Sequence, residues 1–230
     1  RLCLGLSQSD LRIVWVGSTG LAEFVPLAFG TTPSSNSFNH DRLPDHRPAL
    51  ALVGSASETT RRQLDYAQTN NGLSIIYLDP AHIIQDRTSA EDELEQASSR
   101  LRATIASGYD AALVMRASRE EIAATQRLGD SLNLPPLQVA QRIVGGLPHV
   151  ASSLVRENCI SGIVATGGDT ANALCNSLGA QALEILGEVE AGIPVMRILG
   201  EQSLPLVTKA GGFGSQAAIA DALVKVKQYA

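Results

Sequence analysis

Residues 163–174 read Ile163-Val-Ala-Thr-Gly-Gly-Asp-Thr-Ala-Asn-Ala-Leu174, an apolar run that two glycines interrupt before a helical pattern begins. This succession predicts a short buried strand, a turn over Thr166–Thr170 and a helix, because glycine tolerates main-chain angles that other residues resist. Asp169 or Thr170 is expected to cap the helix, and Gly179 to end it. Free amides converge at a helix start, where the dipole adds roughly half a positive charge. The stretch therefore indicates a phosphate site, although an ordinary strand-to-helix turn has the same pattern.

The central motif differs from the known nucleotide fingerprints. Gly167-Gly-Asp-Thr170 is neither the G-x-x-x-x-G-K-[ST] of the P-loop nor the G-x-G-x-x-G of the dinucleotide fold. No glycine fingerprint with a ribose-binding acid downstream supports a dehydrogenase, which is the weakest functional interpretation.

Composition limits the classes of protein to which the chain can belong. A chain of 230 residues with 44% hydrophobic and 18% charged residues is long enough for one large α/β domain or two small ones. A net charge of -5 argues against a nonspecific nucleic-acid binder, and no apolar run reaches the roughly 20 residues of a membrane span. Three scattered cysteines, Cys3, Cys159 and Cys175, predict neither a metal knuckle nor a disulfide framework. We therefore expect a reducing, cytoplasmic setting.

Strand-like runs alternate with helical patterns through most of the chain. This alternation predicts an α/β fold with an open, largely parallel sheet and helices on both faces. Shorter runs near the C-terminus predict a mixed edge, and the polar, proline-containing segment 30–48 predicts a surface loop. The expected strands are Arg12–Gly17, Ala49–Gly54, Leu73–Leu78, Ala111–Met115, Gly162–Ala165, Leu183–Val189, Val195–Leu199 and Leu204–Thr208.

Four turns rich in glycine or serine follow predicted strands. They lie at Gly17–Gly20, Gly54–Ser57, Thr166–Thr170 and Lys209–Gly214. Ligands of open sheets bind beyond the carboxyl ends of the strands, where such turns cluster. Four turns of this kind are more than chain folding needs, so we expect them to share a ligand site.

In this order, the segments resemble the C-terminal nucleotide-binding domain of the four-carbon acid sugar kinase family, which includes D-threonate and D-erythronate kinases. The matching segments are Val16-Gly-Ser-Thr-Gly-Leu-Ala22, Gly54-Ser-Ala-Ser-Glu-Thr-Thr-Arg-Arg-Gln63, Ala165-Thr-Gly-Gly-Asp-Thr170 and Lys209-Ala-Gly-Gly-Phe-Gly214. Glu190-Ala-Gly-Ile-Pro194 also resembles the short turn of that family between its last strands.

The resemblance implies an ATP-dependent kinase that transfers the γ-phosphoryl group to a hydroxyl of a small, four-carbon sugar acid. It implies that Ser55 and Ser57 contact the nucleotide. Mg²⁺ takes oxygen ligands and keeps several waters, so Asp169 could hold it directly or through water. The residues expected around the phosphates are Gly167, Gly168, Asp169 and Thr170, with Gly211 and Gly212 closing the opposite wall.

Members of this family also carry an N-terminal domain with an acidic Ala-Asp-Asp-x-Thr-Gly type motif, and nothing in this sequence matches it. We therefore expect residues 1–230 to be the nucleotide-binding part of a longer two-domain kinase, with the catalytic group on the N-terminal substrate domain. The alternative is a noncatalytic module that binds a phosphorylated or acidic ligand, or another protein. The identity of the sugar acid and the oligomeric state, including a homo-oligomer, stay open.

Several residues favour structural interpretations. Lys209 could neutralise charge near the transferred group, but a strand-end lysine or an ion-pair partner is favoured. Trp15 lies in the middle of a predicted strand and is expected in the core. Ser18 and Thr19 are expected to cap a helix rather than touch a ligand.

Overall fold

The structure, a computed structural model, describes residues 12–17, 19–30 and 45–230. The chain forms two compact units, one within Arg1–Asn39 and the other within His40–Ala230. Most of the predicted surface loop 30–48, and Ser18 in the first predicted turn, lie outside the described residues. Within the described part, every helix is too short or too polar to cross a membrane.

The first unit contains helix α1 (Thr19–Ala28). Residues 12–17 precede it without regular secondary structure, so the strand predicted there is wrong. Val14 and Val16 are 87% and 84% exposed. Trp15 is partly exposed and is not the core residue that we expected. A β-branched run indicates a good fit to a pleated, half-buried surface and not an intrinsic backbone preference, so the run alone does not make a strand.

The second unit is built on a seven-stranded sheet in the order β2-β3-β1-β4-β7-β6-β5. Strands β2, β3, β1, β4 and β7 are parallel to one another, whereas β6 and β5 add an antiparallel edge. The predicted open, largely parallel sheet with a mixed C-terminal edge is confirmed. The strands are β1 (Leu50–Val53), β2 (Ser74–Leu78), β3 (Ala111–Met115), β4 (Ile163–Thr166), β5 (Ala180–Glu190), β6 (Ile193–Gly200) and β7 (Pro205–Lys209).

In the described part of the second unit, seven helices connect or follow these strands. Several begin where the sequence provides a cap: Ser57 accepts the amide of Thr60 at the start of α2, and Ser118 forms a capping box with Glu121 at the start of α5. The helices are α2 (Glu58–Asn71), α3 (Pro80–Gln85), α4 (Arg87–Ala106), α5 (Arg119–Ser131), α6 (Pro136–Arg156), α7 (Gly168–Ser177) and α8 (Ala218–Lys227).

Helices cover both faces of the sheet. Helices α4, α6 and α7 enclose one core, which includes Leu52 and Leu174, and α2 and α8 enclose the other, which includes Val53 and Ile219. Leu52 and Val53 are neighbours on β1 and belong to different cores, because successive side chains of a strand point to opposite faces. Burial on both faces explains why the parallel strands are nearly continuous apolar runs.

The chain changes direction between β1 and β4, which lie side by side. It leaves β1 through α2 on one face and β4 through α7 on the other. In open α/β sheets such a point opens a crevice beyond the carboxyl ends of the two strands. The turns after β1 and β4 both start at this crevice, and β7, which is parallel to β4, brings a third turn beside them.

Candidate functional site

Three of the predicted turns meet at the carboxyl edge of the sheet, and the fourth, Gly17–Gly20, belongs to the first unit. The carboxyl-edge cleft consists of Gly54–Ser57, Gly167–Thr170 and Ala210–Gly214. Main-chain hydrogen bonds continue from the strands into these turns: Gly54 N donates to Thr166 O at 3.4 Å, and Gly167 N donates to Lys209 O at 2.9 Å. The turns are therefore held in register by the sheet itself.

Ser57 joins the first turn to the third. Its hydroxyl donates to Gly211 O at 2.5 Å and accepts the amide of Thr60 at 3.1 Å, so one side chain caps α2 and holds the loop after β7. Thr60 Oγ1 donates to the same carbonyl at 2.9 Å. The Ser57 hydroxyl is thus already engaged with protein atoms, and its observed contacts are those of a structural residue.

Ser55 is placed differently. Its Oγ accepts the Ser57 amide at 3.2 Å, and the Ser55 hydroxyl donates to no group in the described part of the chain. Ser55 is partly exposed and lies against Gly211, where an added Cβ would come 2.2 Å from Ser55 Oγ. Ser55 therefore keeps a hydrogen-bond donor for a ligand, on the wall that it shares with Gly211.

The glycines of the cleft fall into two groups. At Gly54 an added Cβ would lie 2.1 Å from Thr170 Oγ1, so Gly54, like Gly211, is small because the turns touch. At Gly168 and Gly212, by contrast, an added Cβ would meet nothing within 4 Å. Both of these glycines are exposed, and the space in front of them is available to another molecule.

Helix α7 begins without a side-chain cap. Gly167 occupies the N-cap position with φ of 95°, and the helix starts at Gly168. The prediction that Asp169 or Thr170 caps the helix is wrong, since both lie in its first turn. Asp169 is exposed, whereas Thr170 is 3% exposed and packs against Gly54. The first amides of α7 are left for an external acceptor, as in anion sites at helix N-termini.

The buried side chain of Lys209 holds the third turn by hydrogen bonds. It is 2% exposed, and its Nζ donates to the carbonyls of Ala210 at 3.0 Å, Gly211 at 3.3 Å and Phe213 at 3.0 Å. Burial lowers the pKa of the Lys209 ammonium, and the nearby Glu190 opposes that shift. Lys209 is the last residue of β7, so the strand-end interpretation is confirmed, whereas the alternative ion pair is not found among the described residues.

Gln63 holds the third turn in place, although nothing in the sequence singles it out. It is fully buried, and its Nε2 donates to Phe213 O at 3.0 Å and to Ser215 O at 2.7 Å. Together with Thr60 it forms a polar stripe at i and i+3 on α2 that faces the third turn. The sequence could not identify this glutamine, because its burial is known only once the structure shows which face of α2 points inward.

Metal-binding capacity at the cleft is modest. Across the described residues, no group of three or more His, Cys, Asp or Glu side chains is arranged to hold a metal ion. Asp169 is a single exposed carboxylate beside the start of α7. This suits Mg²⁺, which is commonly held by one or two carboxylates, waters and phosphate oxygens rather than by an all-protein cage.

The model of a protein family described as a nucleotide-binding C-terminal domain matches residues 50–219. The chain belongs to this family. The match includes β1, β4 and β7 and the three turns of the cleft, which confirms the resemblance seen in the sequence.

Curated relatives of this nucleotide-binding C-terminal domain are named as kinases. A D-threonate kinase of Salmonella typhimurium is 30% identical over 215 residues, covering 93% of this chain and 48% of the relative. A 3-oxo-tetronate kinase of Pseudomonas fluorescens is 25% identical over 214 residues, covering 93% of this chain and 46% of the relative. The chain spans about half the length of the curated relatives it matches.

Solved structures share the fold of this domain. A domain of unknown function from Bordetella bronchiseptica, solved with bound citrate as a domain-swapped dimer, superposes with a TM-score of 0.63 at 27% identity, covering 92% of this chain and 46% of that one. A Haemophilus influenzae protein superposes with a TM-score of 0.66 at 19% identity, covering 88% and 45%, which bears on the fold alone.

Proposed function

We propose that this domain binds ATP and belongs to a cytoplasmic kinase that transfers the γ-phosphoryl group to a hydroxyl of a small, four-carbon sugar acid. The observation that carries the proposal is the carboxyl-edge cleft, where three main-chain turns meet at the switch point of the sheet. The names of the relatives supply the reaction class, because they are kinases of four-carbon acids.

The phosphates of ATP fit the open part of the cleft. The amides at the start of α7 are uncapped, an added Cβ at Gly168 or at Gly212 would meet nothing within 4 Å, and the Ser55 hydroxyl adds a donor. Gly167 and Thr170 set the shape of this cradle, and Gly211 fixes its opposite wall. Phosphoryl transfer depends mainly on positioning and on neutralising charge, and oriented amides supply both.

Mg²⁺ would complete this charge balance when bound. Asp169 is the carboxylate of the cleft that would hold it, directly or through water. Lys209 donates its hydrogen bonds to the third turn, so its contribution is to hold that turn while its positive charge lies beneath the cleft.

The acceptor hydroxyl and the group that activates it would come from an N-terminal substrate domain. This division of labour agrees with the length of the relatives, of which the chain spans about half. Closure of two lobes around donor and acceptor is a common way to exclude water from such a reaction.

The proposal is tested by calorimetry of ATP with and without Mg²⁺. Gly168→Val should weaken ATP binding by about tenfold or more, a loss of about 1.4 kcal/mol, because it fills the space reserved for phosphate. Its melting temperature should stay close to that of the wild type, since an added Cβ meets no protein atom there. Asp169→Ala should weaken binding only when Mg²⁺ is present.

The matched control is Gly145→Val, because Gly145 is also exposed and an added Cβ there meets nothing within 4 Å. It should bind ATP like the wild type. Equal ATP affinity in the wild type, Gly168→Val and Asp169→Ala would remove the assigned site. Binding of inorganic phosphate without binding of ATP would favour the noncatalytic module instead.

A further inference from the structure

A cavity of about 330 Å³ lies between α5 and α6 at the carboxyl end of β3. The α5–α6 cavity has predominantly apolar walls. Its lining includes Met115 at the end of β3, Ala117 after that strand, Ile122 on α5, and Val139 and Ile143 on α6. A cavity of this size is at the lower end of the range that small-molecule sites occupy.

The α5–α6 cavity and the carboxyl-edge cleft share the turn after β1. Gly54 and Ala56 line the cavity, and Gly54 also packs against Thr170 in the first turn of α7. A ligand whose tail lies at the start of α7 needs only to cross Gly54 to enter the cavity. The cleft and the cavity are therefore two parts of one elongated site.

The two parts have different chemistry. The cleft offers amides and a hydroxyl, which suit phosphate, whereas the cavity offers an apolar interior with a few polar side chains. Gln126 and Asp130 line it from exposed positions on α5, where their amide and carboxylate are free to meet the polar edge of a heterocycle. Thr125, which also lines it, is satisfied within α5 because its Oγ1 donates to Glu121 O at 2.7 Å.

Helices α5 and α6 pack closely beside the cavity. Gly129 on α5 lies so near α6 that an added Cβ would come within 2.8 Å of Val139 Cγ2. The two helices therefore touch at Gly129 and Val139, both of which line the cavity. Preformed apolar walls with a few polar groups are typical of cofactor sites.

We propose that the α5–α6 cavity binds the nucleobase of the nucleotide whose phosphates lie in the carboxyl-edge cleft. This inference rests on the proposed function and adds the subsite that distinguishes a nucleotide from a bare polyphosphate. Stacking and burial of the flat base against Ile122, Val139 and Ile143 supply the affinity, and Gln126 and Asp130 meet its polar edge.

The test fills the cavity without disturbing the core. Ala140 on α6 is exposed and lines the cavity, so Ala140→Trp places an indole where the base would lie. The control is Ala124→Trp, the same change at an exposed alanine of α5 outside the cavity lining. Calorimetry of the 230-residue chain measures two probes, ATP and inorganic triphosphate.

Ala140→Trp should weaken ATP binding by at least about tenfold and leave inorganic triphosphate binding unchanged, because only the base is displaced. Ala124→Trp should change neither. A folded Ala140→Trp variant that binds ATP like the wild type would overturn the cavity proposal and leave the proposed function standing. A wild-type chain that binds neither probe would overturn both.

A second measurement does not depend on the variant. An 8-azidoadenine analogue of ATP, photolysed on the wild-type chain, should label peptides that contain residues 115–143. Labelling confined to other peptides would refute the assignment of the base to this cavity.

Discussion

Gly54→Ala tests whether the first and second turns of the cleft are in direct contact. An added Cβ would lie 2.1 Å from Thr170 Oγ1 and 3.5 Å from Leu147 Cδ1. Thr170 is 3% exposed and β-branched, so its χ1 has few alternatives and its side chain cannot turn aside into solvent. The turn after β1 must therefore move away from α7.

The magnitude follows from overpacking of the contact between the exposed Gly54 and the buried Thr170. Inserting a methyl group into a closely packed place costs about 1–3 kcal/mol in the free energy of unfolding. For a chain of this size each kcal/mol lowers the melting temperature by about 2–4 °C, so a decrease of roughly 2–12 °C is expected. The displaced turn also carries Ser55, so ATP affinity should fall together with stability.

The assay is chemical and thermal denaturation of a double-mutant cycle. Thr170→Ala removes the clashing Oγ1, so Gly54→Ala combined with Thr170→Ala should be more stable than the sum of the two single changes predicts. The control is Gly145→Ala on α6, where an added Cβ meets nothing and the loss of a helical glycine should stabilise the protein by about 0.5–1 kcal/mol.

Additive losses in the cycle would refute the reasoning, because they would mean that the methyl group at position 54 does not meet Thr170. A Gly54→Ala variant as stable as the wild type would refute it as well. Either result would mean that the turn after β1 does not contact the start of α7. The cleft and the cavity would then not share that turn.

Three further predictions concern single side chains. Lys209→Met should lower the free energy of unfolding by about 1–3 kcal/mol, because the carbonyls of residues 210–213 lose their buried donor, and urea denaturation measures this. Thr166→Val should raise stability by about 1 kcal/mol without changing ATP affinity, since the buried Thr166 Oγ1 has no hydrogen-bond partner; a fall in stability would contradict this. The hydrogen bond from His82 to Glu93, which raises the pKa of His82, should add stability that is fully present below pH 6.5 and is lost as pH rises through the raised value. The wild type should therefore exceed His82→Gln in stability in acid and approach it at alkaline pH, and a difference independent of pH would exclude this linkage.

Much of the fold follows from contiguous residues. Apolar runs bounded by turn residues located all seven strands of the sheet. Ser57, which the resemblance assigned to the nucleotide, caps α2 in the structure. The strand predicted at residues 12–17 is absent, because strand propensity says only that a segment would fit a pleated surface. The predicted cap of α7 was wrong for a tertiary reason. Gly167 N donates a hydrogen bond to Lys209 O of β7, and this contact places Gly167 at the N-cap.

The residues of the cleft were therefore predictable from sequence, because glycine, serine and threonine after an apolar run have local reasons to form turns. The proximity of these turns in space was not predictable. Ser57 and Gly211 are 154 positions apart in the sequence and become neighbours only because the strands lie in the order β1-β4-β7. The inward direction of Lys209 and the α5–α6 cavity depend in the same way on which elements pack together. Local pattern thus determined the strands, the turns and the chemistry that they carry, and strand order and helix packing decided which of them share one site.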